Sequence, residues 1–326
     1  MKLVNHTPFP ADIFRTVIDK TRIAASVAAR VTFDLTDGRL TTASEQPWIV
    51  SGPPWDGPQG SMDSDEVFRR GGVDLLLFAS ARAPHRRSVT QMNVTMSVGK
   101  WQRTVQVTGE RAWVRAGRQL RPTKPVPFVE MPLSMANAFG GRDEWDGLPM
   151  PFPDNEHGKG YFLEEEKAVG GRLPNIEDPR FPVKAWTDRP EPVGVGVCPM
   201  VSGQRTRNGI GLDDKGRIVE LKPRYFNSAF PEMIIDSVRP GDVVRIDGVW
   251  HDGPLAFAIP DFPMRVKLAF DEHITERDLP IDQIGIEADK SRVFISYRYP
   301  FRYVVNPLQR RSCELRAFGY PAEAAS

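Results

Sequence analysis

The clearest pattern in the sequence is a two-residue alternation of apolar and polar positions. From Ile23 to Leu35 every odd position is apolar, whereas the even positions include Arg30 and Asp34. Because neighbouring side chains leave opposite faces of a β-strand, this alternation predicts a strand with one buried face. Two further stretches, residues 73–115 and 217–299, show similar strand-like patterns between turn residues. The chain is therefore predicted to be mainly β, with antiparallel sheets and little helix.

A loop-rich segment, residues 122–215, separates the strand-rich parts of the chain. Between residues 122 and 200, 22 of 79 positions are Pro or Gly, which is about twice the density found elsewhere in the chain. Proline removes a backbone donor and glycine raises the entropic cost of ordering, so regular sheet is not expected there. Large apolar side chains nevertheless predict that these loops are ordered. They are Phe128, Met131, Phe139, Trp145, Phe152, Tyr161, Phe162 and Trp186.

These patterns divide the chain into two packed β lobes joined by the loop-rich segment. The first lobe is predicted to span residues 1–121 and the second residues 216–306, with sheets packed like a sandwich. We expect residues 1–306 to form a single domain. The stretch from Leu308 to Phe318 is the most helix-like in the sequence, so residues 307–326 are predicted to form a C-terminal helix and tail.

Charge and cysteine content exclude several classes of function. The chain carries 43 Lys and Arg against 42 Asp and Glu, so no long-range attraction to nucleic acid or to an anionic membrane is expected. No apolar run approaches the roughly 20 residues that a membrane-spanning helix needs. Two cysteines, Cys198 and Cys313, indicate a reducing compartment rather than a disulfide framework, so we expect a cytoplasmic protein. Five scattered histidines predict no metal, and no motif predicts a cofactor.

Two arrangements would support an enzyme. Glu177, in a proline-bracketed loop, would act with a carboxylate from Glu164–Glu166 as the acid–base pair of a carbohydrate- or cell-wall-active hydrolase. The commoner role for such a carboxylate is to accept backbone N–H groups and fix its loop. Cys198 and His157 would form a nucleophile–base pair if the fold brought them together. Neither arrangement is a recognised catalytic motif, so no catalytic residue is predicted.

A third alternative is an anion-binding module. Gly140-Gly141-Arg142 and Gly158-Lys159-Gly160 each place a cation beside flexible backbone, which suits a small anionic ligand. Neither motif matches a phosphate-binding loop.

A series of short motifs carries a resemblance to a known family. In chain order they are Gly109-Glu110-Arg111-Ala112-Trp113, Phe128-Val129-Glu130-Met131-Pro132-Leu133, Asn137-Ala138-Phe139-Gly140-Gly141, Asn155-Glu156-His157-Gly158-Lys159-Gly160-Tyr161, Leu173-Pro174-Asn175-Ile176-Glu177 and Pro192-Val193-Gly194-Val195-Gly196-Val197-Cys198-Pro199. In this order they resemble a bacterial family of unknown function that is associated with type VI secretion. The resemblance extends from the first strand to about Tyr299.

The resemblance implies a non-catalytic adaptor or chaperone that binds a secreted toxin effector or a spike-tip protein and assists its loading. Prolines would order the loops before binding, and aromatic side chains would supply contact area. The partner-binding residues are predicted to be Phe139, Gly140, Gly141, Arg142, Trp145, Tyr161, Asn175 and Glu177. The sequence departs from the family pattern at Glu156, where proline is usual, and it lacks the tryptophan that commonly follows the stretch ending at Pro199.

Overall fold

The largest sheet joins strands from the beginning, middle and end of the chain. The computed structural model describes residues 1–47, 55–57, 60–200, 202–306 and 308–318. The sheet's long central strands, Arg22–Thr36 and Arg292–Val304, pair antiparallel along their length. Next to them, Ile281–Glu287 lies antiparallel to Arg292–Val304 and parallel to Val73–Phe78. The other strands of this sheet are Ala11–Val17, Arg39–Thr42 and Ile234–Ile235.

Two smaller sheets complete the main β framework. The five-stranded sheet is antiparallel throughout and has the order Ile176–Glu177, Trp101–Thr108, Gln91–Val98, Val243–Asp247 and Leu255–Ala258. The four-stranded sheet has the order Leu3–Asn5, Arg311–Ala317, Met264–Phe270 and His273–Asp278. Its first two strands are parallel and its other neighbours are antiparallel.

Short pairs of strands and short helices connect these sheets. The pairs are Trp55–Gly57 with Gly60–Met62, Ser80–Arg82 with Glu130–Pro132, Trp113–Ala116 with Gln119–Pro122, Phe139–Gly140 with Lys159–Gly160, Arg142–Trp145 with Leu148–Pro151, and Ile210–Leu212 with Ile218–Leu221. Among the described residues, the α-helices are Glu165–Ala168 and Gly203–Gly209. The 3₁₀ turns are Pro84–Arg86, Met135–Asn137, Pro223–Phe226, Pro231–Met233 and Ala288–Lys290. No helix in the described parts of the chain has the length and apolar character to span a membrane.

The three larger sheets share one apolar core. Val31 from the largest sheet, Val105 from the five-stranded sheet and Leu268 from the four-stranded sheet are all buried in it. The odd positions of Arg22–Thr36 face this core, as the alternation predicts. The even positions lie on the opposite face, where Arg30 is also buried. The largest sheet is therefore covered on both sides.

The mainly β class with antiparallel sheets is confirmed. Strands from both predicted lobes share sheets: Arg22–Thr36 pairs with Arg292–Val304, and Gln91–Val98 pairs with Val243–Asp247. The loop-rich segment connects the two halves of the chain, and strands from before and after it pair in the same sheets.

The C-terminal helix predicted within residues 307–326 is wrong. Arg311–Ala317 is a strand between Leu3–Asn5 and Met264–Phe270. Cys313 and Leu315 are fully buried while Arg316 is exposed, which is the two-residue period of a strand. Sheet pairing on both sides overrode the weak helical pattern of the isolated segment. The predicted tail beyond residue 318 lies outside the described residues.

Candidate functional site

A second apolar core holds the loop-rich segment in place. Its buried members are Trp113, Phe139, Ala168, Leu173 and Val183, and its partly buried members are Leu120, Phe152, Tyr161, Phe162 and Trp186. The ring of Phe139 meets that of Phe152 edge to face at 5.0 Å, and Phe152 meets Tyr161 at 5.3 Å. Such aromatic pairs add to the stabilisation from buried area. Five of the side chains predicted to order the loops meet in this core: Phe139, Phe152, Tyr161, Phe162 and Trp186. Phe139 therefore supports the segment from inside.

A close backbone crossing fixes the middle of the segment. Phe139–Gly140 lies parallel to Lys159–Gly160, and Gly140 has a φ of +147°. A Cβ atom on Gly140 would lie 2.0 Å from the carbonyl oxygen of Asn155. The Asn155 side chain donates to the carbonyl oxygens of Met135 at 2.8 Å and Phe139 at 2.9 Å. Gly140 and Asn155 therefore act as structural residues of the crossing.

The cations of the proposed anion site already have partners. Lys159 Nζ donates to Asn175 Oδ1 at 2.6 Å and to Glu110 Oε1 at 3.1 Å. Arg142, whose side chain is exposed, pairs with Glu156 at 2.7 Å. Asn175 is fully buried. A free anion would have to displace these carboxylate and amide contacts, so the geometry gives the anion-binding alternative no support.

Glu177 makes the contacts of a structural carboxylate. It is only 4% exposed. Its Oε1 accepts the backbone N–H of Val183 at 2.8 Å, and its Oε2 accepts a bond from Arg111 at 2.5 Å. On the acidic run, Glu165 pairs with Arg115 at 3.0 Å. Both oxygens of Glu177 are therefore engaged in holding the loop, which is the commoner role expected from the sequence.

Cys198 packs in the main apolar core. Its side chain is fully buried in the main core, and burial raises the pKa of its thiol to about 11. His157 is largely exposed and lies beside Glu156 at 3.5 Å. A reactive cysteine needs a lowered pKa, and this thiol has the opposite shift.

One exposed part of the segment is a β-hairpin formed by Arg142–Trp145 and Leu148–Pro151, which we call the Trp145 hairpin. Asp146 and Gly147, both with positive φ, form its turn. Asp143 anchors its base: one oxygen accepts the backbone N–H of Leu163 at 2.6 Å, and the other lies 3.2 Å from Lys167 Nζ. Burial opposes ionisation of Asp143, but these donors outweigh it and hold its pKa below the usual value.

One face of the Trp145 hairpin carries three exposed apolar side chains near its turn, and Asp143 lies on the same face at its base. Trp145 lies opposite Leu148, and Met150 is two residues further along the same strand. Residues paired across strands, and residues two apart along a strand, share a face. These side chains are 55%, 65% and 41% exposed, respectively. Trp145 was predicted from sequence, whereas Leu148 and Met150 were missed, although the Asp-Gly turn signal between strands was available to find them.

The predicted partner-binding residues thus separate by burial. Arg142 and Trp145 are exposed, and Gly141 and Tyr161 are partly buried. The fully or almost fully buried residues are Phe139, Gly140, Asn175 and Glu177. The buried group positions the segment, so direct contact with a partner falls to the exposed residues. Partner binding itself stays a prediction.

A buried group of charged residues, which sequence reasoning missed, covers the other face of the largest sheet. This charge network consists of Arg30, Asp65, Arg70, Asp74, Asp282 and Arg298. Asp282 Oδ2 accepts from Arg70 at 2.8 Å and from Arg298 at 2.5 Å, and Asp65 accepts from Arg30 at 2.8 Å. Three cations balance three anions, as buried charges require. Asp65, Arg70 and Asp74 lie close together in the sequence, but their partners Arg30, Asp282 and Arg298 are far away, so no local motif reveals the whole network.

Comparison with known proteins decides the family. A family model described as an uncharacterized protein conserved in bacteria (DUF2169) matches residues 20–298. The chain belongs to this family. No curated protein and no solved structure matches it. The DUF2169 match contains the whole loop-rich segment with its Trp145 hairpin, so the family of unknown function predicted from the short motifs is confirmed. Its association with type VI secretion stays a prediction.

Proposed function

We propose that this DUF2169 protein is a non-catalytic adaptor or chaperone of a type VI secretion system. In this proposal it binds a toxin effector, or the spike-tip protein that carries it, in the cytoplasm and assists loading for export. The order of the short motifs suggested this role, and the shape of the loop-rich segment fits it.

The observation that carries the proposal is the group of exposed apolar side chains on the Trp145 hairpin. Trp145, Leu148 and Met150 lie together on a short hairpin whose base is fixed by Asp143. Clustered exposed apolar side chains are typical of protein-binding surfaces, and tryptophan is prominent among residues that dominate binding energy. A support that is ordered before binding reduces the entropic cost of association.

The chemistry of the neighbouring side chains also favours binding over catalysis. Glu177 is engaged by Arg111 and a backbone N–H, and Lys159 is engaged by Asn175 and Glu110. These groups stabilise the segment behind the hairpin. The segment therefore resembles a rigid support for a docking surface.

The test is recovery of partners encoded beside this protein. Tagged wild-type and Trp145→Ala proteins are mixed with the neighbouring toxin and spike-tip products. Loss of a central tryptophan contact costs about 2 kcal/mol or more, so we expect roughly 30-fold weaker binding by Trp145→Ala. Val219→Ala is the matched control, because Val219 is 65% exposed on a different hairpin and should bind like the wild type.

Phe139→Ala separates docking from folding. Phe139 is buried in the second core, so its truncation is expected to lower the free energy of unfolding by about 3–5 kcal/mol and to weaken binding only indirectly. The proposal fails if neither product is recovered with the wild type and toxin export is unchanged in a deletion strain. The assignment of the Trp145 hairpin as the binding surface fails if the Trp145→Ala and Val219→Ala proteins bind the partner equally well.

A further inference from the structure

A cleft lies away from the loop-rich segment. It has a volume of about 360 Å³ and opens beside the ends of the strands Ile281–Glu287 and Arg292–Val304. This is near the lower end of the roughly 300–1,000 Å³ typical of ligand sites, so it suits one side chain rather than a large ligand. Its walls include Pro240, Pro260, Pro263 and Pro280. Proline walls are stiff, so little ordering is needed when the cleft is filled.

Tyr297, one of the residues that line this cleft, has a buried and unsatisfied hydroxyl group. The residue lines the cleft and is only 3% exposed. Its hydroxyl group has no hydrogen-bond partner among the described residues. Burial raises the pKa of Tyr297 and the nearby charge of Asp261 raises it further, so the phenol stays neutral. A buried hydroxyl without a partner is costly, and a ligand that supplied the missing bond would remove that cost.

The rim of the cleft carries three aspartates, of which two form ion pairs with arginines. Asp278 pairs with Arg265 at 2.7 Å, and Asp236 pairs with Arg224 at 3.3 Å. Asp261 is exposed and makes no ion pair or hydrogen bond within the described part of the chain. The residues that line the cleft include three aspartates and no Lys, Arg or His. The local charge therefore favours a cationic ligand.

We propose that this cleft binds an arginine side chain carried by an extended segment of another protein. A guanidinium group has five N–H donors in a planar fork and is weakly hydrated. It would donate to the Tyr297 hydroxyl oxygen and to the Asp261 carboxylate. Its aliphatic stem would pack against the prolines and Phe262, which also lines the cleft. This site is independent of the Trp145 hairpin and goes beyond the adaptor proposal.

The probe is a fluorescein-labelled peptide of sequence Gly-Ala-Pro-Arg-Pro-Ala-Gly, with binding measured by fluorescence anisotropy on the full chain. A matched peptide carries citrulline, the neutral analogue of arginine. We expect the arginine peptide to bind and the citrulline peptide to bind at least tenfold more weakly. Asp261→Asn is expected to remove that preference. Asp214→Asn, at another exposed aspartate that does not line the cleft, should leave it unchanged.

Tyr297→Phe distinguishes recognition from folding. It keeps the ring and removes only the unpartnered hydroxyl group, so the free energy of unfolding should stay equal or rise. Peptide binding should nevertheless fall several-fold. Equal binding of the two peptides, or of the arginine peptide to wild type and Asp261→Asn, would overturn the proposal. So would the absence of binding at about 1 mM protein, where an interaction of only about 4 kcal/mol is half-saturated.

Discussion

At the scale of single residues, the backbone crossing at Gly140 shows why a glycine is needed in the loop-rich segment. Its φ of +147° is rare for residues with a side chain, and its missing Cβ would meet the Asn155 carbonyl oxygen. Gly147, in the turn of the Trp145 hairpin, has a φ of +75° but has open space around the missing Cβ. A side chain at Gly147 would cause backbone strain only, whereas a side chain at Gly140 would cause both backbone strain and a steric clash.

Gly140→Ala is therefore expected to destabilise the protein more than Gly147→Ala. Gly147→Ala adds backbone strain alone, about 1–2 kcal/mol. Gly140→Ala adds strain and forces the crossing apart, so its cost should exceed that of Gly147→Ala by about 2 kcal/mol or more. Urea denaturation followed by circular dichroism measures both free energies of unfolding. Equal costs would show that the crossing yields easily to an added methyl group.

Single residues also show which roles in the candidate site could be predicted from the sequence. Phe139 and Trp145 were both predicted to bind a partner because they are large aromatic residues in loops. Phe139 is buried, however, whereas Trp145 is exposed. Composition alone does not distinguish these roles, because the second core draws members from distant parts of the chain, such as Trp113 and Val183. Glu177 is a clearer case, since its loop-fixing role was the commoner expectation and matches its contacts.

At the scale of elements, period-two alternation predicted the long strands well and failed at the C-terminus. Ile23 to Leu35 offers seven apolar positions in register, enough to identify its buried face. Arg311–Ala317 offers only Cys313 and Leu315 as fully buried residues, which is too short a run to reveal the two-residue period from the sequence alone. The decisive information was pairing with Met264–Phe270, which the segment does not carry in itself.

Leu315→Ala and Arg316→Ala test this strand as a pair. Leu315 is fully buried in the main core, so its truncation should lower the free energy of unfolding by about 2–5 kcal/mol. Arg316 is exposed on the other face, and its truncation should change stability by less than about 0.5 kcal/mol. Thermal and chemical denaturation report both values. Similar losses at the two neighbours would contradict an alternating strand.

At the scale of the whole molecule, the charge network ties the largest sheet to segments that cover it. Arg30, Asp74 and Arg298 lie on strands of that sheet, whereas Asp65 and Arg70 precede its strand Val73–Phe78. Asp74 also accepts the backbone N–H groups of residues 228 and 229. Several ion pairs of this network join residues that are far apart in the sequence, so a search for local sequence motifs does not detect the network.

Asp282→Asn is expected to destabilise the whole fold. It leaves Arg70 and Arg298 without their shared carboxylate, and removing one partner of a buried ion pair costs about 3–5 kcal/mol. The control is Asp247→Asn, whose partner Arg245 is exposed, so its cost should stay below about 1 kcal/mol. Denaturant unfolding measures both, and a small loss at Asp282 would show that the network relaxes around the missing charge.

The pH dependence of stability gives the same network a second test. Burial opposes ionisation of Asp282, but Arg298 and Arg70 outweigh it and hold its pKa below the ordinary value. The unfolded chain therefore binds this proton more readily, so the stabilisation is present above about pH 4 and is lost as the pH falls through the lowered folded pKa. Below about pH 4, the wild type should lose stability more steeply than Asp282→Asn, which lacks this titration. Parallel curves for the two proteins across this range would mean that Asp282 is not held ionised by its arginines.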